Sequence, residues 1–418
     1  MAQLGTTTTR GNSSSYTQEA STTQQNRAVA YTNCLRSHGV PGFPDPTGGG
    51  EIPNIPLQQL GVSNSQLQAA QQACQSLSPK QVSALSRAAQ RRSRAFAATP
   101  LTDLGARTYE RQTGGLYPGG HNTVPAAHAA AGLARAHRIQ PLNRAGHPDP
   151  DGKIVLLSIS MSNGSAEWCG TTTCASTSPS GRSFMAQAAA SPAVNHQTLV
   201  IVNGAKGGQV ASRWTSPRSP DYDLVRDQQL APMGVTEQQV QVVWLKEADA
   251  FPHQSLPSRS ADAYTLEGLL GDITRALKAR YSHLQQVFLT SRTYGGYATT
   301  TLNPEPYAYE SGFSAKWLIQ AQIQQIQQHG TITDPRAGNL DDNTAAPWIA
   351  WGPYLWADGT RPRSDGLRWR RSDLGPDGTH LSPAGITKVG HALLTFFLNS
   401  PYTHCWFRTP SKNNNCGG

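Results

Sequence analysis

Charge is scarce in this sequence. Asp, Glu, Lys and Arg together make up 15% of 418 residues, and apolar residues only 37%. Gly, Pro, Ser, Thr, Gln and Asn fill the difference. No apolar run reaches the roughly 18 residues that a membrane-spanning helix needs, so no membrane span is expected. The first 26 residues lack the apolar stretch of an export signal, which fits a mature chain whose signal has been removed or a chain that was never exported. A concentrated basic stripe is missing too. The net charge of +9 is spread along the chain, with adjacent arginines only at Arg91-Arg92 and Arg370-Arg371. Nucleic-acid binding wants a clustered patch, so none is expected.

Cysteines decide between the two compartments. There are six, none has CxxC spacing, and no histidine completes a zinc pattern. They fall into three neighbourhoods, Cys34 with Cys74, Cys169 with Cys174, and Cys405 with Cys416. Nearest-neighbour pairing is the simplest of the connectivities and gives three peripheral bridges. A secreted, disulfide-bonded protein without bound metal is the expectation.

Taken in order, residues 1–26 are polar with almost nothing to bury and are expected to be disordered. Residues 27–99 read as a helical hairpin over 28–38 and 65–76, followed by a connector helix over 79–98. The run from Cys34 through Leu-Arg-Ser-His-Gly-Val-Pro-Gly-Phe-Pro-Asp-Pro, with the later Ala-Ala-Gln-Gln-Ala-Cys74, resembles a small module of exported actinobacterial proteins. That resemblance covers about fifty residues and implies export rather than an activity. Residues 100–400 form the main domain, and 401–418 a tail closed by its cysteines.

Within the main domain short apolar strands alternate with helices. Strands are expected at 154–159, 199–203, 240–245 and 286–290, and helices at 125–137, 184–190, 266–281 and 309–329. This pattern predicts an α/β fold, a parallel sheet with helices on both faces in three layers, plus the small helical N-terminal appendage. Binding sites in such sheets form at the carboxyl ends of the strands. Ser162, Gly207, Lys246 and Ser291 all fall just past predicted strand ends.

Near the C-terminus, Asp373-Leu-Gly-Pro-Asp-Gly-Thr-His-Leu-Ser-Pro-Ala-Gly385 places Asp377 and His380 two residues apart, ahead of a helix that Ser382 caps and Pro383 starts. A carboxylate this close to an imidazole fixes its tautomer and lets the other ring nitrogen act as a base. A helix-capping turn explains the same residues equally well. Asp373 is the other carboxylate within reach.

The order Ser162, Asp377, His380 resembles the SGNH (GDSL-type) hydrolase superfamily over residues 150 to 398. The resemblance implies a flavodoxin-like fold and a Ser-His-Asp acyl-enzyme mechanism without cofactor. It assigns Ser162 as nucleophile, His380 as base and Asp377 as its orienting carboxylate. The oxyanion would be held by the backbone of Ser162 and of Gly207, with Gly208 as the register alternative. Two departures stand out. Ser160-Met161 precedes Ser162 where the family has Gly-Asp, which makes Ser160 a rival nucleophile. The third family block carries an oxyanion-binding Asn, but Lys246-Glu-Ala248-Asp stands here, so Lys246, Asn163 or a backbone group would have to donate instead. Asn163, Tyr294 and Trp356 are the expected substrate contacts. The aromatic loop around Trp351, Tyr354, Trp356 and Trp369 suggests stacking on a sugar, hence an O-acetyl or other short acyl ester of a carbohydrate as partner. A non-catalytic binding or surface-assembly protein that keeps this fold is the other function class.

The compartment expectation is testable by mass spectrometry. Alkylation of the unfolded protein should add no groups before reduction and one per cysteine after it; six reactive thiols without reductant would contradict export.

Overall fold

The computed structural model describes residues 30–43, 60–74, 77, 96–248, 252–299 and 302–409. The chain divides into two units, Met1–Ala88 and Ala89–Gly418. In the first, a helix over 30–37 and a second over Asn64–Ala73 are joined by the Cys34–Cys74 disulfide. Leu35, Val40, Leu60, Ala70 and Cys74 form its small core. His38 lies against both sulfurs, but these are bonded to each other and leave no thiolate for a metal. The expected disordered segment 1–26 and most of the helix expected over 79–98 lie outside the described residues.

The second unit is built on five parallel strands, β1 (Ile154–Ser160), β2 (Leu199–Asn203), β3 (Val240–Lys246), β4 (Gln286–Leu289) and β5 (Trp348–Trp351), in the order β2-β1-β3-β4-β5. Every residue of β1, β3, β4 and β5 is buried, as expected of strands covered on both faces. That is why these segments read as continuous apolar runs rather than alternating ones. The fifth strand was not foreseen. Pro347 and Gly352 bracket only four residues, two of them Trp, so the segment reads as part of an aromatic loop.

Among the described residues, six helices of seven or more residues flank the sheet: α1 (Ala126–Ala136), α2 (Ser162–Cys169), α3 (Phe184–Ala190), α4 (Asp262–Arg280), α5 (Tyr307–Gln327) and α6 (Pro383–Asn399). They form two groups. Helices α2, α3 and α6 contact one another, while α4 packs on α5, and α1 packs on α5 and β5. In the first group Trp168 of α2 stacks on Trp244 of β3 at 5.0 Å and touches Phe184 of α3 at 4.4 Å. Its indole N–H donates to the carbonyl of Val202 at 3.1 Å, so one side chain ties α2 to β2 and β3.

The aromatic loop that follows β5 is core, not surface. Trp356 and Trp369 are fully buried, and Trp351 and Tyr354 nearly so. Downstream, the chain re-enters the core through Trp406 and Phe407. Cys405 is disulfide-bonded, and Cys416, its expected partner, lies outside the described residues. The Cys169–Cys174 bridge is present. Among the described residues no helix is long and apolar enough to cross a membrane.

Because Trp168 fills the junction between α2 and the sheet, Trp168→Ala should destabilise the fold by about 3–5 kcal/mol, read as a lower denaturant midpoint at unchanged slope.

Candidate active site

Strand β1 ends by locking one serine and releasing another. The Ser160 hydroxyl, 1% exposed, donates to the carbonyl of Lys246 at 2.5 Å and is spent inside the sheet. Ser160 is therefore sealed and no rival nucleophile. Its position also requires Gly164, because a Cβ there would stand 1.9 Å from the Ser160 hydroxyl oxygen. Two residues on, Ser162 is the first residue of α2 and half-buried.

The turn before α6 closes on it. His380 Nε2 lies 2.8 Å from Ser162 Oγ, and Nδ1 lies 2.5 Å from Asp377 Oδ2. The other carboxylate oxygen, Oδ1, accepts the N–H groups of Thr379 and His380, each at 3.0 Å. The His380 and Asp377 side chains remain 33% and 32% exposed, open enough for a substrate to reach. Burial works to raise the Asp377 pKa, but the hydrogen bonds from the His380 ring and the two N–H groups outweigh it and hold the carboxyl down at about 2. Asp373 is occupied elsewhere, by Lys388 at 2.5 Å and the Arg370 N–H at 2.8 Å.

Two connections hold the turn in place. Asn163, next to the nucleophile, donates its amide to the carbonyl of Thr379 at 2.8 Å. The Thr299 N–H donates to the carbonyl of Asp377 at 2.8 Å. Gly378, at φ +68°, is needed here, because a Cβ would lie 1.8 Å from the Tyr297 carbonyl oxygen.

Oxyanion donors are arranged differently from the sequence expectation. Gly207 does sit beside Ser162, with the place of a Cβ 3.7 Å from the Ser162 Cβ. Its N–H, however, donates to the carbonyl of Thr172 at 2.8 Å and is not available. Lys246 is 2% exposed and forms a sealed ion pair with Glu167 of α2, so it presents no donor to the cleft. Burial disfavours both charges, pushing Glu167 up and Lys246 down against their mutual attraction. What remains is the start of α2. The first N–H groups of a helix have no internal acceptor, Met161 supplies no side-chain cap, and the first intrahelical bond runs only from the Ser165 N–H. The N–H groups of Ser162, Asn163 and Gly164 are thus left without intrahelical acceptors, at the positive end of α2 that begins with Ser162.

The expected substrate contacts also change. The Asn163 side chain is sealed and faces the Thr379 carbonyl. Trp356 is fully buried and donates to Glu305 Oε1 at 2.7 Å, and Tyr294, 8% exposed, packs on Tyr297 and Trp356. None of the three offers a face to a substrate. Two buried groups beside the site were not singled out, Glu167 and Arg292. Arg292 stands in the Ser291-to-Tyr297 stretch, where the aromatics draw the eye. Glu167 is one acid on a short helix and carries no sequence signal.

The Asp377 contribution has a definite sign with pH. Its folded-state pKa lies below the ordinary 3.8, so the stabilisation is present above that value and lost as pH falls toward about 2. Chemical denaturation should show wild-type stability falling across this window more steeply than that of Asp377→Asn; parallel curves would remove the couple as a source of stability.

No protein-family model matches the chain, and no curated protein matches it. Among solved structures, it is similar to a salicylyl-acyltransferase from a tetracycline biosynthetic pathway, with 13% identity over 59% of this chain and 54% of that chain, at a TM-score of 0.29. The match thus spans about half the length of that protein.

Proposed function

We propose that the chain is an exported serine esterase acting through an acyl-enzyme. The observation that carries this reading is the continuous hydrogen-bonded line from Ser162 Oγ through the His380 ring to Asp377, with both ring nitrogens engaged and the serine at a helix start. A serine hydroxyl is a weak nucleophile until a base takes its proton. His380 Nε2 takes it as Ser162 Oγ bonds to the acyl carbon. Asp377 holds the Nδ1 proton and stabilises the charged ring. The carbonyl oxygen becomes an oxyanion in front of the α2 N–H groups. His380 then protonates the departing alcohol, and water repeats the sequence in reverse to free the acid.

Disulfides at Cys34–Cys74 and Cys169–Cys174 support an exported location. The carbohydrate partner loses its support, since the tryptophans invoked for it are core residues. A short acyl ester is kept as substrate class. One observation favours the non-catalytic alternative: the Gly207 N–H is engaged with Thr172 and Ala248 stands where a further donor is expected. Losing one oxyanion donor typically costs about 100- to 1,000-fold, which slows an esterase rather than silencing it.

Hydrolysis of 4-nitrophenyl acetate should be measurable and should fall by roughly 1,000-fold or more in Ser162→Ala, and a fluorophosphonate should label Ser162 alone. Equal rates in the two proteins, or no turnover and no label in the wild type, would leave the non-catalytic reading.

A further inference from the structure

Among the described residues, the other buried lysines and arginines have partners. Lys246 has Glu167, and Lys388 has Asp373. Arg363 has Asp365 and two backbone carbonyls. Arg292 is different. It is only 6% exposed, yet among the described residues its guanidinium makes neither a hydrogen bond nor an ion pair; only its backbone N–H is engaged, with the Ser311 hydroxyl at 3.2 Å. Its nitrogens are also not among the sealed, unpartnered polar atoms of the fold, so the little surface it retains lets them meet solvent. An arginine cannot shed its charge and carries five donors in a planar fork. Burying that fork without acceptors is costly, and a buried group of this kind calls for an explanation.

Its place in the fold supplies one. Ser160 pairs with Lys246 across β1 and β3, and Leu245 pairs with Leu289 across β3 and β4. The Thr290 N–H continues that ladder to the Leu245 carbonyl at 2.9 Å, which sets Thr290 beside Lys246. Ser160 and Thr290 therefore leave the same edge of the sheet at the same level, two strands or roughly 10 Å apart, and Ser162 and Arg292 each follow by two residues. Arg292 also opens the segment that reaches Thr299, whose N–H holds the Asp377 carbonyl. Asp377 is among the carboxylates whose charge acts on Arg292, so the guanidinium and the His380 turn, which would protonate a leaving alcohol, lie within electrostatic reach of each other.

The surrounding acids do not satisfy it. Glu167, Glu247, Glu305 and Asp377 all act on Arg292 through charge, against the burial that disfavours its cationic form, but none forms an ion pair with it. Glu167 is committed to Lys246 and Asp377 to His380. Burial pushes Glu247 well up and Glu305 up to about 7, weakening both as counterions.

We propose that Arg292 binds a carboxylate carried on the alcohol portion of the ester, so that anionic esters are the preferred substrates of this site. The proposal rests on the esterase reading and adds the substrate class to it. A planar carboxylate matches the guanidinium fork with two parallel hydrogen bonds, which a neutral amide of the same shape cannot match.

The test compares acetate esters that differ only in that charge, 4-acetoxybenzoate and 4-acetoxybenzamide. Wild-type kcat/KM should favour the benzoate by about tenfold or more, in line with a charge-assisted pair. In Arg292→Gln the ratio should fall toward one, and Arg292→Lys should recover part of it. A wild-type ratio near one, or a ratio unchanged in Arg292→Gln, would overturn the proposal. Calorimetric binding of 4-hydroxybenzoate to Ser162→Ala, and its loss when Arg292→Gln is added, reads the anion site without turnover; absence of binding, or binding indifferent to Arg292, overturns it as well. Turnover of 4-nitrophenyl acetate reports separately on the esterase reading. Circular dichroism of each Arg292 variant separates a lost site from a lost fold, and Arg292→Lys carries the test if Arg292→Gln does not fold.

Discussion

A single amide-to-carbonyl hydrogen bond, from Asn163 to Thr379, joins the first turn of α2 to the turn before α6, 216 residues away in the chain. The Ser162–His380 contact depends on it. One segment follows β1 and the other leads into α6, and neither has local reason to hold its side chain at hydrogen-bonding distance from the other. Asn163 sits one residue past the serine and Thr379 one residue before the histidine. Their bond therefore sets the spacing of the neighbours on both sides. Because the amide is sealed from water, breaking this bond leaves a buried carbonyl without a partner, a penalty of about 1–3 kcal/mol.

Beneath that contact the sheet edge is made rigid by polar groups rather than by packing alone. Ser160 is tied to the Lys246 carbonyl, and the Lys246 side chain reaches Glu167 on the helix that carries the nucleophile. Removing either partner would strand a charge in the interior, so the helix cannot slide along its strand without a large cost. Lys246, expected from the sequence to donate to an oxyanion, thus ties the helix to its strand instead. The neighbouring Arg292 keeps only a small solvent contact and, among the described residues, no acceptor within hydrogen-bonding distance, and that tension marks the cleft as a place for an anion.

Much of the fold could be read from the chain because buried parallel strands need unbroken apolar runs. Ile154 to Ser160 and Val240 to Lys246 have no competing helical interpretation of that length. Trp348 to Trp351 escaped because four residues between Pro347 and Gly352 are too short to show a period. The Asp377–His380 pair stood out because its members are three apart on one turn, and the carboxyl ends of the strands narrowed the nucleophile to Ser160 or Ser162. Nothing local chooses between those two serines. The choice comes from the neighbouring strand, whose Lys246 carbonyl captures Ser160.

Composition and hydrophobic pattern alone therefore determined the α/β class and four of the five strand positions, since these follow from burial, while the Asp377–His380 spacing together with a family resemblance pointed to the residues proposed for acyl chemistry. Tertiary structure alone decided the rest. It turned the tryptophans of the long loop inward, gave the Gly207 N–H to Thr172, paired Lys246 with Glu167 and left Arg292 without a counterion in contact. Each of these outcomes depends on which groups meet across tens to hundreds of residues. A hydrogen bond or an ion pair is a property of the meeting, and the order of residues along the chain does not encode it locally.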